Sequence, residues 1–239
     1  MSGDAFGHLL DAIDKGRKGA VEIVERDDGL FFTGGGIDYM DPFREWDPVE
    51  RRALRLARGR VLDLGSGAGR VLIHLQERGF DAVGIEASPR IARVARRRGA
   101  RNVRVMRVEE IDDRLGTFDT VVMYGNNFGM LGTVPKTRRL LRTLLGVTSD
   151  RARILAGNTS PYPAKGARQR AYHARNRSRG KLAGTIRIRI RYREHVTPWL
   201  EWLFLSPREL EQLLVGTGWQ LARLVRGESQ RYVAVLEKT

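Results

Sequence analysis

No cysteine occurs among the 239 residues. That absence excludes disulfides, thiolate metal ligands and a thiolate nucleophile together. Histidine is scarce as well: His8, His74, His173 and His195 are dispersed and share no ligand spacing, so no metal site is expected. No apolar run reaches the ~18 residues of a membrane span. The opening Met1-Ser2-Gly3-Asp4 has neither the basic nor the apolar part of a secretory leader. A cytoplasmic chain without a membrane partner is expected. Lysine is rare too, 6 against 37 arginines in a net charge of +15. Such an excess ordinarily suggests a polyanion, but so lopsided a preference for arginine is also what GC-rich coding produces.

What is present is an alternation of short apolar runs with helical patterns. The length suits one domain, read as an N-terminal extension (1–58), a core (59–160), an insertion or lid (161–205) and a closing helix with a strand pair (206–239). In the extension, the loop Thr33-Gly34-Gly35-Gly36 precedes Asp47-Pro48-Val49-Glu50, a cap, a first-turn proline and a capping-box glutamate that open a helix to about residue 57. Strands are expected at 61–64, 82–86, 103–108, 118–124 and 152–156, with helices at 70–78, 89–98 and 135–145 between them. Strand and helix in turn imply parallel strands joined by right-handed crossovers, an α/β doubly wound sheet. The rhythm then changes. Residues 185–193 alternate Ile186, Ile188, Ile190 and Tyr192 with Arg187, Arg189, Arg191 and Arg193, the pattern of a half-buried antiparallel strand, expected to pair with 199–205. Ser206-Pro207-Arg208-Glu209 opens a helix to about 216, and strands follow at 219–225 and 231–237.

The strongest chemical signal is Val61-Leu62-Asp63-Leu64-Gly65-Ser66-Gly67-Ala68-Gly69-Arg70. An apolar strand there runs into a G-x-G-x-G loop and a helix, where a sharp turn and close ligand approach leave no room for a Cβ. Glu86 ends the next strand about 20 residues on, where a carboxylate accepts hydrogen bonds from both ribose hydroxyls. A dinucleotide fold wants a third glycine where this chain has Arg70, which disfavours nicotinamide. A phosphate-free nucleoside fits better, with Asp63 and the loop facing an ammonium and backbone N–H groups near Gly67, or Arg70, facing a carboxylate.

These segments, with Gly84-Ile85-Glu86-Ala87-Ser88-Pro89 and Phe118-Asp119-Thr120-Val121-Val122, resemble the first, second and fourth strand motifs of the class I S-adenosylmethionine-dependent methyltransferases. The resemblance covers roughly residues 58–160 and extends to Ser206-Pro207-Arg208-Glu209-Leu210 and Gly218-Trp219. It implies a mostly parallel seven-stranded sheet with a reversed last strand, beside which stand the N-terminal helical extension and an antiparallel hairpin insertion. It also implies S-adenosylmethionine as cofactor, contacted by Asp63, Gly65, Ser66, Gly67 and Gly69, by Glu86 and Ala87 at the ribose, and by Val108 and Glu109 at the adenine. The family often has an aspartate near Arg107 and this chain has none, so Glu109 or Glu110 would replace it. Tyr39, Gly125 and Asn126 complete the expected cofactor set.

The acceptor is read less directly. Gly125-Asn126-Asn127-Phe128-Gly129 follows the fourth strand, where the family brings donor and acceptor together. Turn chemistry explains the two asparagines as well as a catalytic role for Asn127 does. The Asn/Asp-Pro-Pro-aromatic motif of DNA amino-methyltransferases is missing, and cytosine C5 methylation needs a cysteine. Residues 165–193 hold eleven basic and no acidic residues. They read as a solvated arginine face, a lid for an anionic acceptor or a nucleic-acid surface. The expectation is a small-molecule acceptor bound by Tyr162, Tyr172 and His173, with Asn127 and His173 as catalytic candidates. RNA methylation and a non-catalytic cofactor-binding protein are the alternatives.

Overall fold

The computed structural model describes residues 3–34 and 39–239. Gly35 and Gly36 of the expected N-terminal glycine loop lie outside the described residues. In chain order the elements are α1 (Ala5–Asp14), β1 (Ile23–Arg26), β2 (Phe31–Thr33), α2 (Pro48–Leu54), β3 (Val61–Leu64), α3 (Arg70–Glu77), β4 (Ala82–Glu86), α4 (Pro89–Arg97), β5 (Val103–Val105), β6 (Phe118–Met123), α5 (Val134–Gly146), β7 (Thr148–Thr159), α6 (Ala167–Ser178), β8 (Thr185–Tyr192), β9 (His195–Val196), β10 (Leu200–Leu203), α7 (Pro207–Leu214), β11 (Trp219–Arg226) and β12 (Arg231–Lys238). Among the described residues no helix is long and apolar enough to cross a membrane.

Seven strands form one sheet in the order β11-β12-β7-β6-β3-β4-β5. The pairs β3/β4, β4/β5 and β6/β7 are parallel, while β12 runs antiparallel to both β7 and β11 and is therefore the reversed strand. All four residues of β3 and the first four of β4 are buried. Such continuously buried runs, apolar but for Asp63, are what strands covered on both faces require.

By contacts the chain divides into two compact units: Met1–Trp46, Arg58–Ile111 and Arg187–Leu200 in the first, Asp47–Ala57, Asp112–Ile186 and Glu201–Thr239 in the second. In the first unit, Leu10 of α1 is fully buried with Ala68, Ile91 and Val94, and Phe6, Ile13, Tyr39 and Met40 pack around them. Ser88 caps α4 through its hydroxyl, which accepts from Ile91 N at 3.2 Å. In the second unit, Asp47 caps α2 by accepting from Val49 N at 2.8 Å. Ser206 and Glu209 close a reciprocal capping box on α7, Ser206 N donating to Glu209 Oε2 at 2.8 Å and Glu209 N to Ser206 Oγ at 3.3 Å.

Several elements differ from the sequence expectation, each for a local reason. β5 stops at Val105 because residues 108–110 form a 3-10 turn, held where the Glu110 carboxylate accepts from Arg107 N at 2.7 Å. β7 starts four residues earlier than expected, through Thr148, Ser149, Asp150 and Arg151, whose polarity masks the strand. α6 was not foreseen: only Tyr172, His173 and Asn176 of its twelve residues are buried, so it lacks an apolar stripe. The strand at 185–192 is present, but it pairs with β1 as well, within a five-stranded antiparallel sheet ordered β10-β8-β1-β2 with β9 also on β8.

That pairing brings carboxylate to the arginine ladder. Glu25 of β1 faces Arg189 in register, accepts both Arg189 Nε (2.7 Å) and Nη2 (2.8 Å), and takes Arg191 Nε at 2.6 Å. These guanidinium bonds, Arg189 foremost, hold the Glu25 carboxyl down at about 2. Trp199 covers the ladder's Arg187 and Arg189, whose guanidinium carbons lie 5.2 and 4.6 Å from its ring centre.

Candidate functional site

In the first unit the chain leaves β3 through three left-handed glycines, Gly65, Gly67 and Gly69, with φ of 70°, 55° and 83°. Two of them differ instructively. A Cβ at Gly69 would sit 3.2 Å from the Cβ atoms of both Ala95 and Ala100, so close packing as well as backbone shape demands glycine. A Cβ at Gly67 would meet nothing within 4 Å. Gly67 therefore presents bare backbone to open space, the arrangement a ligand needs for close approach.

The loop is fastened beneath. Gly65 N and Ser66 N both donate to Ile85 O, at 3.0 and 2.9 Å, so it folds back over the end of β4. Arg98 of the α4 C-terminus clamps it from the side, giving Nη1 to Ala68 O at 2.6 Å and Nη2 to Met40 O at 2.8 Å. The Ser66 hydroxyl is buried without a partner among the described residues.

Glu86 ends β4 with its carboxylate turned to this loop, accepting Gly67 N at 3.1 Å and Ser88 N at 2.8 Å. Burial pushes its carboxyl above the usual range, while the Ser88, Gly67 and Ala87 N–H groups pull in the opposite direction and the Asp4 charge adds to the rise. A half-buried carboxylate with accepting capacity left is suited to two neutral hydroxyl donors.

The other expected cofactor residues of this unit take varied places. Asp63 is buried at 2 % exposure in the middle of β3. Ala87 is exposed, Val108 is buried in the 3-10 turn and Glu109 is exposed, with a 3.8 Å approach to Arg107. Tyr39 donates its hydroxyl to Glu22 Oε1 at 2.7 Å and sets its ring edge-on to Phe6, centroids 4.7 Å apart. Burial, with Glu22 beside it, raises the Tyr39 phenol well above its ordinary value, so it stays a neutral donor.

The second unit holds the remaining candidates. Gly125 and Asn126 are both left-handed, φ 65° and 66°. Gly125 N donates to Glu50 Oε1 at 3.1 Å, Thr159 Oγ1 donates to Asn126 Oδ1 at 2.8 Å, and Trp202 Nε1 donates to Asn126 O at 3.0 Å. Asn127 begins the 3-10 turn Asn127–Gly129. Tyr162 and His173 come together edge-on, centroids 5.6 Å apart. The Tyr162 hydroxyl donates to Glu209 Oε1 at 3.0 Å, and the buried His173 has its Nε2 2.9 Å from Gln169 Nε2. Burial is the main reason the Tyr162 phenol is raised. Tyr172, also buried, packs under Arg175, whose guanidinium carbon lies 4.4 Å from the ring centre.

A family model described as "Methyltransferase domain" matches residues 41–224. The chain belongs to that family of methyltransferase domains. Solved structures agree on the fold of this methyltransferase. One is a SAM-dependent methyltransferase from Bacteroides fragilis in complex with S-adenosyl-L-homocysteine: TM-score 0.83 at 22% identity over 99% of this chain and 95% of that one. The sugar N-methyltransferase KedS8 from Streptoalloteichus matches over 100% of this chain and 96% of its own, TM-score 0.58 at 18% identity. CalS10, an amino pentose methyltransferase from Micromonospora echinaspora, matches over 85% and 93%, TM-score 0.56 at 18% identity. No curated protein matches the chain.

Three residues that fasten the methyltransferase's glycine loop or the segments beside it lie outside the sequence motifs. Asp4 caps α1 through Gly7 N at 3.0 Å and also accepts the Ser88 hydroxyl at 2.7 Å, tying the first helix to the turn after Glu86. Its signal was available: an aspartate ahead of Phe6, Leu9, Leu10 and Ile13 is a capped amphipathic helix. Arg98 and Glu22 carried no local signal, because their partners Met40 and Tyr39 lie far away in the chain.

Proposed function

We propose that this methyltransferase uses S-adenosylmethionine to methylate an oxygen or nitrogen of a small-molecule acceptor. The observation that carries the cofactor is the pairing of Gly67 and Glu86: bare backbone beside open space, with a half-buried carboxylate bonded to that same backbone N–H at 3.1 Å. The unpartnered Ser66 hydroxyl adds a polar group with hydrogen-bonding capacity to spare. The residues present therefore fit an adenosine-bearing ligand. When bound, the cofactor supplies a sulfonium methyl group already activated for in-line attack by the acceptor's lone pair.

The chain's own tasks are then binding, orientation and exclusion of water. Ionised Glu86 would accept the two ribose hydroxyls, with Gly65, Ser66, Gly67, Gly69 and Asp63 around the amino-acid end. Tyr39 would help to close the site as a neutral phenol, and Ala87, Val108 and Glu109 would flank the base. Asn126 and Gly125 would serve through the backbone turn they form. On the acceptor side we assign Tyr162, Tyr172 and His173 as contacts, with Asn127 and His173 as the polar groups that orient the nucleophile. A base is required only for an acceptor that arrives protonated.

A small acceptor is favoured over RNA by two features. Glu25 and Trp199 occupy the most regular row of arginines, and the similar proteins KedS8 and CalS10 are named as a sugar and an amino pentose methyltransferase. The test is a tritiated-methyl transfer assay with aminated and hydroxylated sugars and total RNA in parallel, beside calorimetry with S-adenosylmethionine. We expect saturable cofactor binding and label in a small-molecule fraction. Absence of cofactor binding defeats the reading; label in RNA alone defeats the acceptor assignment.

A further inference from the structure

A cleft of about 600 Å³ opens in the first unit between the C-terminal half of α1 and the β8–β9 connection. None of the glycine-loop residues lines it, and its size is that of a small-molecule site. Its most ordered feature is a pair of stacked imidazoles, His8 of α1 and His195 of β9, with centroids 3.6 Å apart and planes at 20°. Burial first, then the Arg90 charge and His195, hold His8 below its ordinary value. At neutral pH it is an uncharged flat surface.

Tyr192, at the end of β8, also lines the cleft. It is only 8 % exposed, and its hydroxyl has no hydrogen-bond partner among the described residues. A buried hydroxyl left unpaired is unusual, because the desolvation cost is uncompensated.

The charges at the rim are unevenly engaged. Lys15 is held by Asp11 at 2.8 Å, and Asp11 is held in turn by Arg97 at 2.7 Å. Glu194 lies 3.4 Å from His195 and is largely exposed. Arg17 and Arg193, by contrast, form no ion pair among the described residues. Arg193 adopts a left-handed φ of 52°, a conformation arginine rarely takes, with its guanidinium carbon 5.8 Å from the Tyr192 ring centre.

We propose that this cleft is a second binding site, taking a small molecule that carries a phosphate or carboxylate on a flat ring. The anion is taken by Arg17 and Arg193, the ring by the His8–His195 surface, and an acceptor atom by the Tyr192 hydroxyl. The assignment stands apart from methyl transfer and survives a wrong choice of cofactor or acceptor.

Histidine ring signals test it in the 239-residue chain, which has four histidines. Phenyl phosphate and benzoate, titrated separately and followed by carbon–proton correlation spectra at pH 7.5, distinguish the two anion types; inorganic phosphate tests the anion alone. We expect saturable shifts of His8 and His195 with at least one aromatic anion while His74 and His173 stay still. Tyr192→Phe removes only an unpartnered hydroxyl, so it folds normally and weakens binding about fivefold. Arg193→Asn keeps a residue that tolerates the left-handed turn and weakens binding about tenfold or more. No saturable shift with either aromatic anion, a common drift of all four signals, or a Tyr192→Phe affinity equal to the parent's overturns the proposal. Should Arg193→Asn fail to fold, the Tyr192 variant decides alone.

Discussion

Replacing Glu86 separates affinity from stability, because its carboxylate accepts two backbone N–H groups on one side and, in the function proposed above, would serve the cofactor on the other. If it accepts both ribose hydroxyls, Glu86→Ala removes two charge-assisted bonds of about 1.5–3 kcal/mol each. Part of that gain is offset by desolvating the carboxylate, leaving a net loss of about 3 kcal/mol, a hundredfold or more in Kd. Stability should respond far less. Gly67 borders open space on the side where a Cβ would stand, so water can reach the N–H that loses its acceptor, and removing a carboxylate whose charged form burial disfavours returns some free energy. A fall of no more than about 1.5 kcal/mol is expected. Calorimetric titration with S-adenosylmethionine and a thermal melt give the two numbers; a Kd within threefold of the parent in a folded variant removes Glu86 from the ribose. Glu86→Gln retains one acceptor oxygen but presents an amide donor to a backbone donor, so its Kd should lie between the two.

The same carboxyl links both quantities to pH. Its folded pKa is raised above the unfolded value, so between those two values the folded chain binds the extra proton and the free protein gains stability as pH falls. Cofactor affinity moves the other way, because only the ionised form accepts two hydroxyl donors. A melting temperature and a log Kd that both rise as pH falls in mildly acid buffer, both flattened in Glu86→Gln, are the signature. Slopes of opposite sign refute the assignment.

Four further outcomes can be checked. Arg98→Gln frees the carbonyls of Ala68 and Met40 and should weaken cofactor binding by about tenfold while costing about 1–3 kcal/mol of stability, read by calorimetry and denaturant melts. Leu10→Ala, at a fully buried position of α1, should cost about 2–5 kcal/mol in the same melts. Gly129→Ala would put a Cβ 2.0 Å from Leu203 O, so loss of soluble folded protein is expected, measured by expression and circular dichroism. The Glu25 carboxyl, held by Arg189 and Arg191, should titrate at about 2 in carbon-detected NMR; its contribution to stability is present above the ordinary glutamate range and is lost as pH falls toward that value.

The legible parts of the molecule are those in which local chemistry and tertiary role coincide. Val61, Leu62 and Leu64 are apolar because both faces of β3 are covered, and the glycines after them occur where φ is positive; one short string therefore discloses strand and loop together. Glu86 is legible by spacing alone, since a crossover helix of fixed length carries the chain to the next parallel strand. α6 is illegible for the converse reason. Its buried face is Tyr172, His173 and Asn176, and Asn176 pays for burial by donating to Ala183 O and Thr185 O at 2.9 and 2.6 Å. No periodicity of apolar residues marks such a helix. β2 is hidden because Phe31, Phe32 and Thr33 are all exposed, so neither alternation nor a buried run announces it.

The arginine excess divides along the same line. Sequence offers a count, and a count cannot separate a phosphate-binding face from internal fastening. Arg96 gives Nη2 to Val103 O at 2.6 Å, Arg138 reaches Leu213 O and Gln212 O at 3.0 and 3.1 Å, Arg153 reaches Leu56 O at 3.0 Å, and Arg142, Arg52 and Arg98 likewise end on backbone carbonyls. Most of these bonds satisfy carbonyls at a helix end or loop, positions where the backbone itself supplies no partner, and those to Val103 O and Arg226 O lie at the ends of strands. A guanidinium spreads several donors over a rigid fork and does this better than a lysine ammonium. Arginines fixed in this way keep their charge but lose the freedom to rearrange around a phosphate backbone, so their number overstates the affinity for a polyanion. The salt dependence of RNA binding should accordingly be shallow, reporting far fewer phosphate contacts than a net charge of +15 suggests; a slope near the full charge would place the arginines at a nucleic-acid surface after all.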